Sequence, residues 1–192
     1  MPSPILYREQ WLTEAASRLA PAFKPWGFGK FRVTCGWPCV SALSPRRKRI
    51  GECHYPTSSA DGTHELFISP SLAKPEDVVG TLAHELAHVV AGHKAAHGKG
   101  FVRVCKAVGL TKGKAVSAEP GERLAAEIAK WLPSLGPYPH AALVPARKIR
   151  TTPPSSVGLE CPDCECRVTM SRKMLDDFGA PTCACGTEFQ KR

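Results

Sequence analysis

The segment PEDVVGTLAHELAHVVA, residues 75–91, constrains the fold more than any other part of the chain. Proline at a first-turn position, with Glu76 and Asp77 behind it, starts a helix because acidic side chains favour the positive N-terminal end, and Gly92 supplies the stop. At about 100° per residue, Val78, Val79, Leu82, Leu86, Val89 and Val90 gather on one side and Thr81, His84, Glu85 and His88 on the other. The spacing therefore predicts one helix, Pro75 to Ala91, covered along its apolar stripe and presenting a His-Glu-x-x-His face. Histidines four apart project in the same direction, so two imidazole nitrogens can reach one ion. Glu85 then stands beside the water such an ion activates, without ligating it. Seven histidines and twelve glutamates among 192 residues give about 0.02 such matches by chance. A coincidental pair of core histidines is the poorer account.

Two imidazoles hold zinc weakly, so a third protein ligand is required. His93 is out of register with sites in which a glycine three residues past the second histidine precedes a third histidine, since here Gly92 lies at plus four. Glu119, Glu122 and Glu127, on a later helical segment, are candidates of the kind that close gluzincin sites. His97 is another. It opens HGKGFVRVCKAVGL, whose Phe101, Val104, Cys105 and Val108 form a helical stripe able to pack on the first helix and present His97 from its first turn.

The tail carries a separate metal signal. CPDCEC at 161–166 and CACG at 183–186 are two cysteine pairs able to close around one tetrahedral zinc. Cys161, Cys164, Cys183 and Cys185 are the expected ligands of a zinc ribbon, with Cys166 replacing Cys164 if the first pair is read as C-x-C. Four sulfur ligands leave no open position, so this second zinc is structural. So short a segment buries little core, and the metal supplies much of its folding free energy.

Charge is unevenly spread. The net charge is +9, and no acidic residue falls between Glu14 and Glu52, a window holding Lys30, Arg32, Arg46, Arg47, Lys48 and Arg49 together with Arg18 and Lys24. Such a field attracts polyanions. Phe23, Trp26, Phe28, Phe31 and Trp37 are interleaved with it, suited either to stacking single-stranded bases or to packing in the core beneath a solvated charged face. Nine cysteines, five of them in the last 32 residues at metal-ligand spacings, favour a reducing compartment over a disulfide framework. No apolar run reaches the roughly 20 residues of a membrane span, and MPSPILYREQ lacks a signal pattern. A cytoplasmic protein without membrane contact is expected.

Elsewhere, Leu12, Ala15, Ala16 and Leu19 share one helical face ahead of Pro21, which is expected to end that helix. KFRVTC, RIGECHY and THELFIS read as three strands of a small antiparallel sheet separated by turn-rich loops. GERLAAEIAKWL reads as a helix facing the core through Leu124, Ile128, Trp131 and Leu132. Cys35, Cys39, Cys53 and Cys105 read as buried thiols, the C-x-x-x-C of CGWPC lacking further ligands nearby. The proline-rich stretch 135–158 reads as a linker, dividing the chain into a main domain at 1–134 and the ribbon at 159–192.

HELAH, followed by HGKGF and then GLTKGKAVSAEPGERL, resembles the SprT-like zinc metalloproteases. The resemblance implies an α+β fold with a zincin-like core, the small sheet packed on the HExxH helix and further helices. It implies His84, His88 and His97 as ligands of a catalytic zinc and Glu85 as general base. The expected activity is peptide hydrolysis of proteins associated with or crosslinked to DNA. Two other functions stay open on the residues: a DNA-binding or regulatory zinc protein with little turnover, and a gluzincin-like peptidase cleaving one partner. Oligomeric state is not encoded in any of these motifs.

Overall fold

A computed structural model describes residues 7–42, 48–110, 118–144 and 155–192. The chain divides into two units, residues 1–145 and 146–192. The expected α+β character is present in both.

The first unit opens with α1 (Arg8–Phe23), which buries Trp11, Leu12, Ala15, Ala16, Leu19 and Phe23. Pro21 does not end it. The helix has only two residues left to run, and the fully buried Phe23, whose ring packs on Phe28 at 5.6 Å, anchors the last turn. One lost backbone hydrogen bond near a helix end is tolerable where burial compensates.

Three strands follow: β1 (Phe31–Cys35), β2 (Gly51–His54) and β3 (His64–Ile68). The sheet is mixed, which corrects the antiparallel expectation. Its order is β1-β3-β2, with β1 parallel to β3 and β2 antiparallel to it. HELFI alternates buried and half-buried positions, with Leu66 and Ile68 fully shielded. The strand with the most fully buried side chains takes the centre, where both backbone edges are paired.

α2 (Pro75–Ala91) has the bounds its sequence predicts, with Gly92 at φ 78° as its cap. Val78, Val79, Leu82 and Leu86 are fully shielded, each contributing about 1.5–3 kcal/mol. The polar face is buried as well, Thr81, His84, Glu85 and His88 included. A helix covered on all sides is a core helix, and its polar groups must find partners there. Gly80 lies against the chain at 118–120, where a Cβ would stand 3.0 Å from the Pro120 ring and collide with the Ala118 carbonyl.

α3 (Lys99–Val108) buries the expected Phe101, Val104, Cys105 and Val108, and α4 (Glu122–Leu135) buries Leu124, Ile128, Leu132 and Leu135, with Trp131 packed partly against the core. The start of the proline-rich stretch lies on α1. Arg8 donates to the Pro139 and Ala141 carbonyls at 3.0 and 2.5 Å, and the Trp11 indole to the Gly136 carbonyl at 3.2 Å.

The second unit is a three-stranded antiparallel sheet of β4 (Ser156–Glu160), β5 (Arg167–Ser171) and β6 (Gln190–Lys191), ordered β5-β4-β6, with α5 (Arg172–Phe178) after β5. Its buried core is Leu159, Cys161, Leu175, Cys183 and Phe189. Among the described residues, no helix is long and apolar enough to cross a membrane.

Candidate metal centre and active site

α2 delivers two imidazoles from consecutive turns. His97 comes from the bend after α2, two residues ahead of α3 and outside the first turn where its sequence places it. The Nε2 atoms of His88 and His97 are 3.2 Å apart and those of His84 and His97 3.3 Å. Nitrogens at about 2.0–2.1 Å from a tetrahedral zinc stand about 3.3–3.4 Å from one another. Two edges of the triangle match that spacing and all three ring nitrogens converge within 4.8 Å, a set that fits a zinc ion.

The protonation chemistry agrees. His88 is held down near 3, first by burial and then by the neighbouring His84 and His97, with Arg49 adding to it. His97 is lowered by its partial burial and by Arg49. Neutral imidazoles are what a cation requires of its ligands. His93 packs tilted against Tyr55 at 4.6 Å and stands outside the group, as do Glu119, Glu122 and Glu127, the last paired with Lys130 at 2.6 Å.

Three further residues complete the site. Phe101, with no exposed surface, lies beneath all three rings, stacked on His88 at 4.2 Å and edge-on to His84 and His97 at 5.0 Å each. Its place four residues after His97 puts the floor on α3, directly after the bend that carries the third ring. The Tyr55 hydroxyl sits 3.5 Å from His88 Nδ1, able to accept that nitrogen's proton and leave the Nε2 lone pair facing the group. Sequence reasoning assigned neither residue to the site, although HGKGF at i,i+4 spacing carried the signal for Phe101.

The third is Gly51. Glu85 is 5% exposed, and burial pushes its carboxyl up to about 8, with Arg49 opposing and Glu52 adding. β2 crosses over it at Gly51, where a Cβ would lie 2.7 Å from Thr81 Cγ2, 3.0 Å from Glu85 Cδ and closer still to Glu85 Oε1. Only glycine lets the strand approach the carboxylate this closely. If the centre is the peptidase site that the sequence resemblance implies, Gly51→Ala is expected to fold and bind metal as the wild type does yet lose roughly a hundredfold in kcat/KM, read from peptide hydrolysis beside a metal count.

The basic residues are placed less uniformly. Arg46 and Arg47 lie outside the described residues. Lys30 and Lys48 are exposed. Arg32 is held by Asp61 at 2.7 Å and by Glu65, and Arg49 by Glu52 at 2.5 Å. Both guanidinium groups are already engaged by carboxylates. Phe23, Phe28 and Phe31 pack on one another at 5.6 Å steps, the core use of these rings. A groove beside His97 is lined by Lys99, Arg103 and Lys106.

In the second unit, Cys161 and Cys185 Sγ are 3.4 Å apart, as are those of Cys164 and Cys183, and all four converge within 4.8 Å. These distances exceed a disulfide's roughly 2.05 Å and come close to the about 3.8 Å edge of a tetrahedral thiolate site. Each pair turns on a left-handed residue just after its second cysteine, Glu165 at φ 57° and Gly186 at φ 91°. The Thr187 backbone N–H lowers Cys185 to about 6, favouring its thiolate, with Cys161 and Cys183 adding to the effect. Cys166 is exposed and outside the group, contributing its backbone carbonyl to the Cys161 N–H at 2.9 Å.

No curated protein and no solved structure matches the chain. A family model does, over residues 25–120, half of the chain and the part that holds all three imidazoles, Glu85, Gly51, Tyr55 and Phe101. The chain with this histidine centre belongs to the SprT-like family.

Proposed function

We propose that the chain is a zinc-dependent endopeptidase acting on proteins held on DNA. One observation carries the reading: three converging ring nitrogens, two of their edges at the length a tetrahedral ion requires, with a buried carboxylate one residue from the first of them. The SprT-like family is associated with metallopeptidase activity, which supports the same chemistry.

His84, His88 and His97 would hold the zinc and leave a coordination position open. When bound, zinc supplies Lewis acidity, drawing the pKa of water toward roughly 7 and polarising a peptide carbonyl. Glu85 takes a proton from the attacking water and returns it to the leaving amine, so the peptide bond breaks with the addition of one water. Burial favours the protonated acid, with Arg49 opposing it; beside a bound zinc the carboxyl would be drawn further down, to where it can both accept and release a proton. Gly51 and Thr81 confine the carboxylate, and Phe101 confines the rings.

Cys161, Cys164, Cys183 and Cys185 would hold the second, structural zinc, in the ribbon that the sequence places at 159–192. In this reading the first unit cuts, and the proline-rich stretch joins it to the ribbon. The DNA assignment draws on the net charge of +9, on exposed Lys30 and Lys48, and on the Lys99, Arg103 and Lys106 groove that opens beside His97. Proximity to the phosphate backbone would then select the substrate. A thiol-rich chain of this kind suits a reducing cytoplasm.

The test is self-cleavage and casein cleavage by the purified chain, with and without single-stranded and duplex DNA, alongside DNA affinity across a salt series. DNA-stimulated cleavage is expected, with affinity falling about tenfold per doubling of salt if about four phosphates are neutralised. Cleavage indifferent to DNA, with flat salt dependence, removes DNA from the function. No cleavage under any condition, with zinc retained, leaves a DNA-binding zinc protein.

A further inference from the structure

β2 uses its two faces differently. Gly51, Cys53 and Tyr55 turn toward the histidine centre, where Gly51 meets Glu85 and Tyr55 meets His88. Glu52 and His54, at alternate positions, occupy the other face. There they meet Cys39, which the sequence suggested as a buried thiol and which is exposed. Its partner in CGWPC has gone elsewhere, Cys35 Sγ accepting from the Arg8 guanidinium at 3.4 Å. The motif is therefore not a cysteine pair, and its second cysteine has found a histidine and a carboxylate.

We propose that Cys39, Glu52 and His54 form a further metal site that takes a borderline divalent cation of the zinc class. One ligand atom from each, thiol sulfur, carboxylate oxygen and imidazole nitrogen, converges within 4.8 Å. His54 Nε2 lies 3.3 Å from Glu52 Oε2 and 3.7 Å from Cys39 Sγ. A tetrahedral zinc sphere requires about 3.3 Å between nitrogen and oxygen ligands and about 3.6 Å between nitrogen and sulfur.

The arrangement is a convergence and not a relay. In a nucleophile–base–acid chain, the carboxylate holds one ring nitrogen and the thiol the other. Here both face the same Nε2, which leaves a single point equidistant in kind from three donors. Glu52 is oriented for this by its other contacts: the Cys39 backbone N–H donates to Oε2 at 2.6 Å, and Arg49 holds Oε1 at 2.5 Å. His54 is steadied by Phe67, edge-on at 5.2 Å.

Mixed sulfur, nitrogen and oxygen ligation selects zinc-like ions over magnesium or calcium, which prefer all-oxygen shells. Binding would expel the Cys39 thiol proton to solvent and leave the imidazole proton on Nδ1. With three protein ligands and an exposed cysteine, the fourth position is open to solvent. Occupancy ties the Cys39 turn to β2, the strand that backs Glu85.

This site does not depend on the hydrolase reading. The full chain is equilibrated with zinc, cleared of loosely held ion and counted by elemental mass spectrometry, beside Cys39→Ala and His54→Ala. Cys39 alkylation is followed by peptide mapping in the stripped and zinc-loaded chains. Three ions in the wild type and two in each variant are expected, with zinc slowing Cys39 alkylation by roughly tenfold or more and failing to do so in His54→Ala. Two ions in the wild type, with Cys39 alkylated at one rate in either state, overturn the site. Circular dichroism of the variants confirms that a lost ion is not lost fold.

Discussion

If the chain is the proposed peptidase, replacing Glu85 by glutamine is expected to reduce peptide hydrolysis by about 10²–10⁴-fold while the zinc count stays that of the wild type. Glutamine is nearly isosteric, so the close approach of Gly51 is preserved and the three imidazoles are untouched. Loss of the ion together with activity would mean that Glu85 supports the metal centre itself, and retained activity would remove it as the base. The same variant reports on burial. In the metal-free chain Glu85 titrates near 8 against an ordinary 4.5, because burial disfavours the charged form. A carboxyl raised on folding gives stability that is fully present below the unfolded value and is lost as pH rises through the folded one. Between about pH 4.5 and 8 the metal-free wild type should lose stability that the glutamine variant keeps, on the order of a few kcal/mol at about 1.4 kcal/mol per unit. His88 titrates in the opposite sense but is present in both chains, so it cancels in the comparison. Parallel stability curves from chemical denaturation at each pH would mean that the folded chain hydrates the carboxyl.

What could be read from the sequence follows the range of each interaction. α2 is legible because its stripe, its acidic first turn and its Gly92 cap are local, and His84, Glu85 and His88 inherit their common direction from helix geometry alone. His97 is legible only as one of several candidates, since the choice depends on how the bend at 92–98 folds back. The order β1-β3-β2 is not local at all: each strand has the right period, but which takes the centre depends on burial shared across the sheet. Tyr55, Phe101 and Gly51 escape for a similar reason. Each looks like ordinary core or turn chemistry until another element is brought against it. Gly51 in particular is defined by what it lacks, and only the approach of Glu85 reveals that. Cys39 shows the reverse error. Its ligand-like neighbours lie 13 and 15 positions along the chain, although Glu52 and His54 at strand spacing already shared a face.

Chelation should unfold residues 156–192 while leaving α1 and α2 protected from hydrogen exchange. The second unit buries Leu159, Leu175 and Phe189, and the other members of its core are Cys161 and Cys183, two of the four sulfurs. Three apolar side chains at about 1.5–3 kcal/mol each cannot order a segment of this length, in which each residue costs about 1–2 kcal/mol of backbone entropy. A tetrathiolate zinc contributes about 10–16 kcal/mol in comparable small domains, so an ion held by these four sulfurs would decide whether the fold exists. The first unit has no such dependence, because Trp11, Phe23, Leu82, Leu86 and their neighbours form a core without metal. Single substitutions sharpen the prediction. Cys164→Ser removes a sulfur 3.4 Å from Cys183 and should abolish protection across β4 and β5 at ordinary zinc concentrations. Cys166→Ser should leave it unchanged, since that residue contributes only backbone groups, its carbonyl to the Cys161 N–H and its N–H to the Cys164 sulfur, which serine supplies equally well. Protection surviving Cys164→Ser but lost in Cys166→Ser would exchange the two cysteines in the ligand set, and protection surviving chelation would show that the sheet folds on hydrophobic contacts alone.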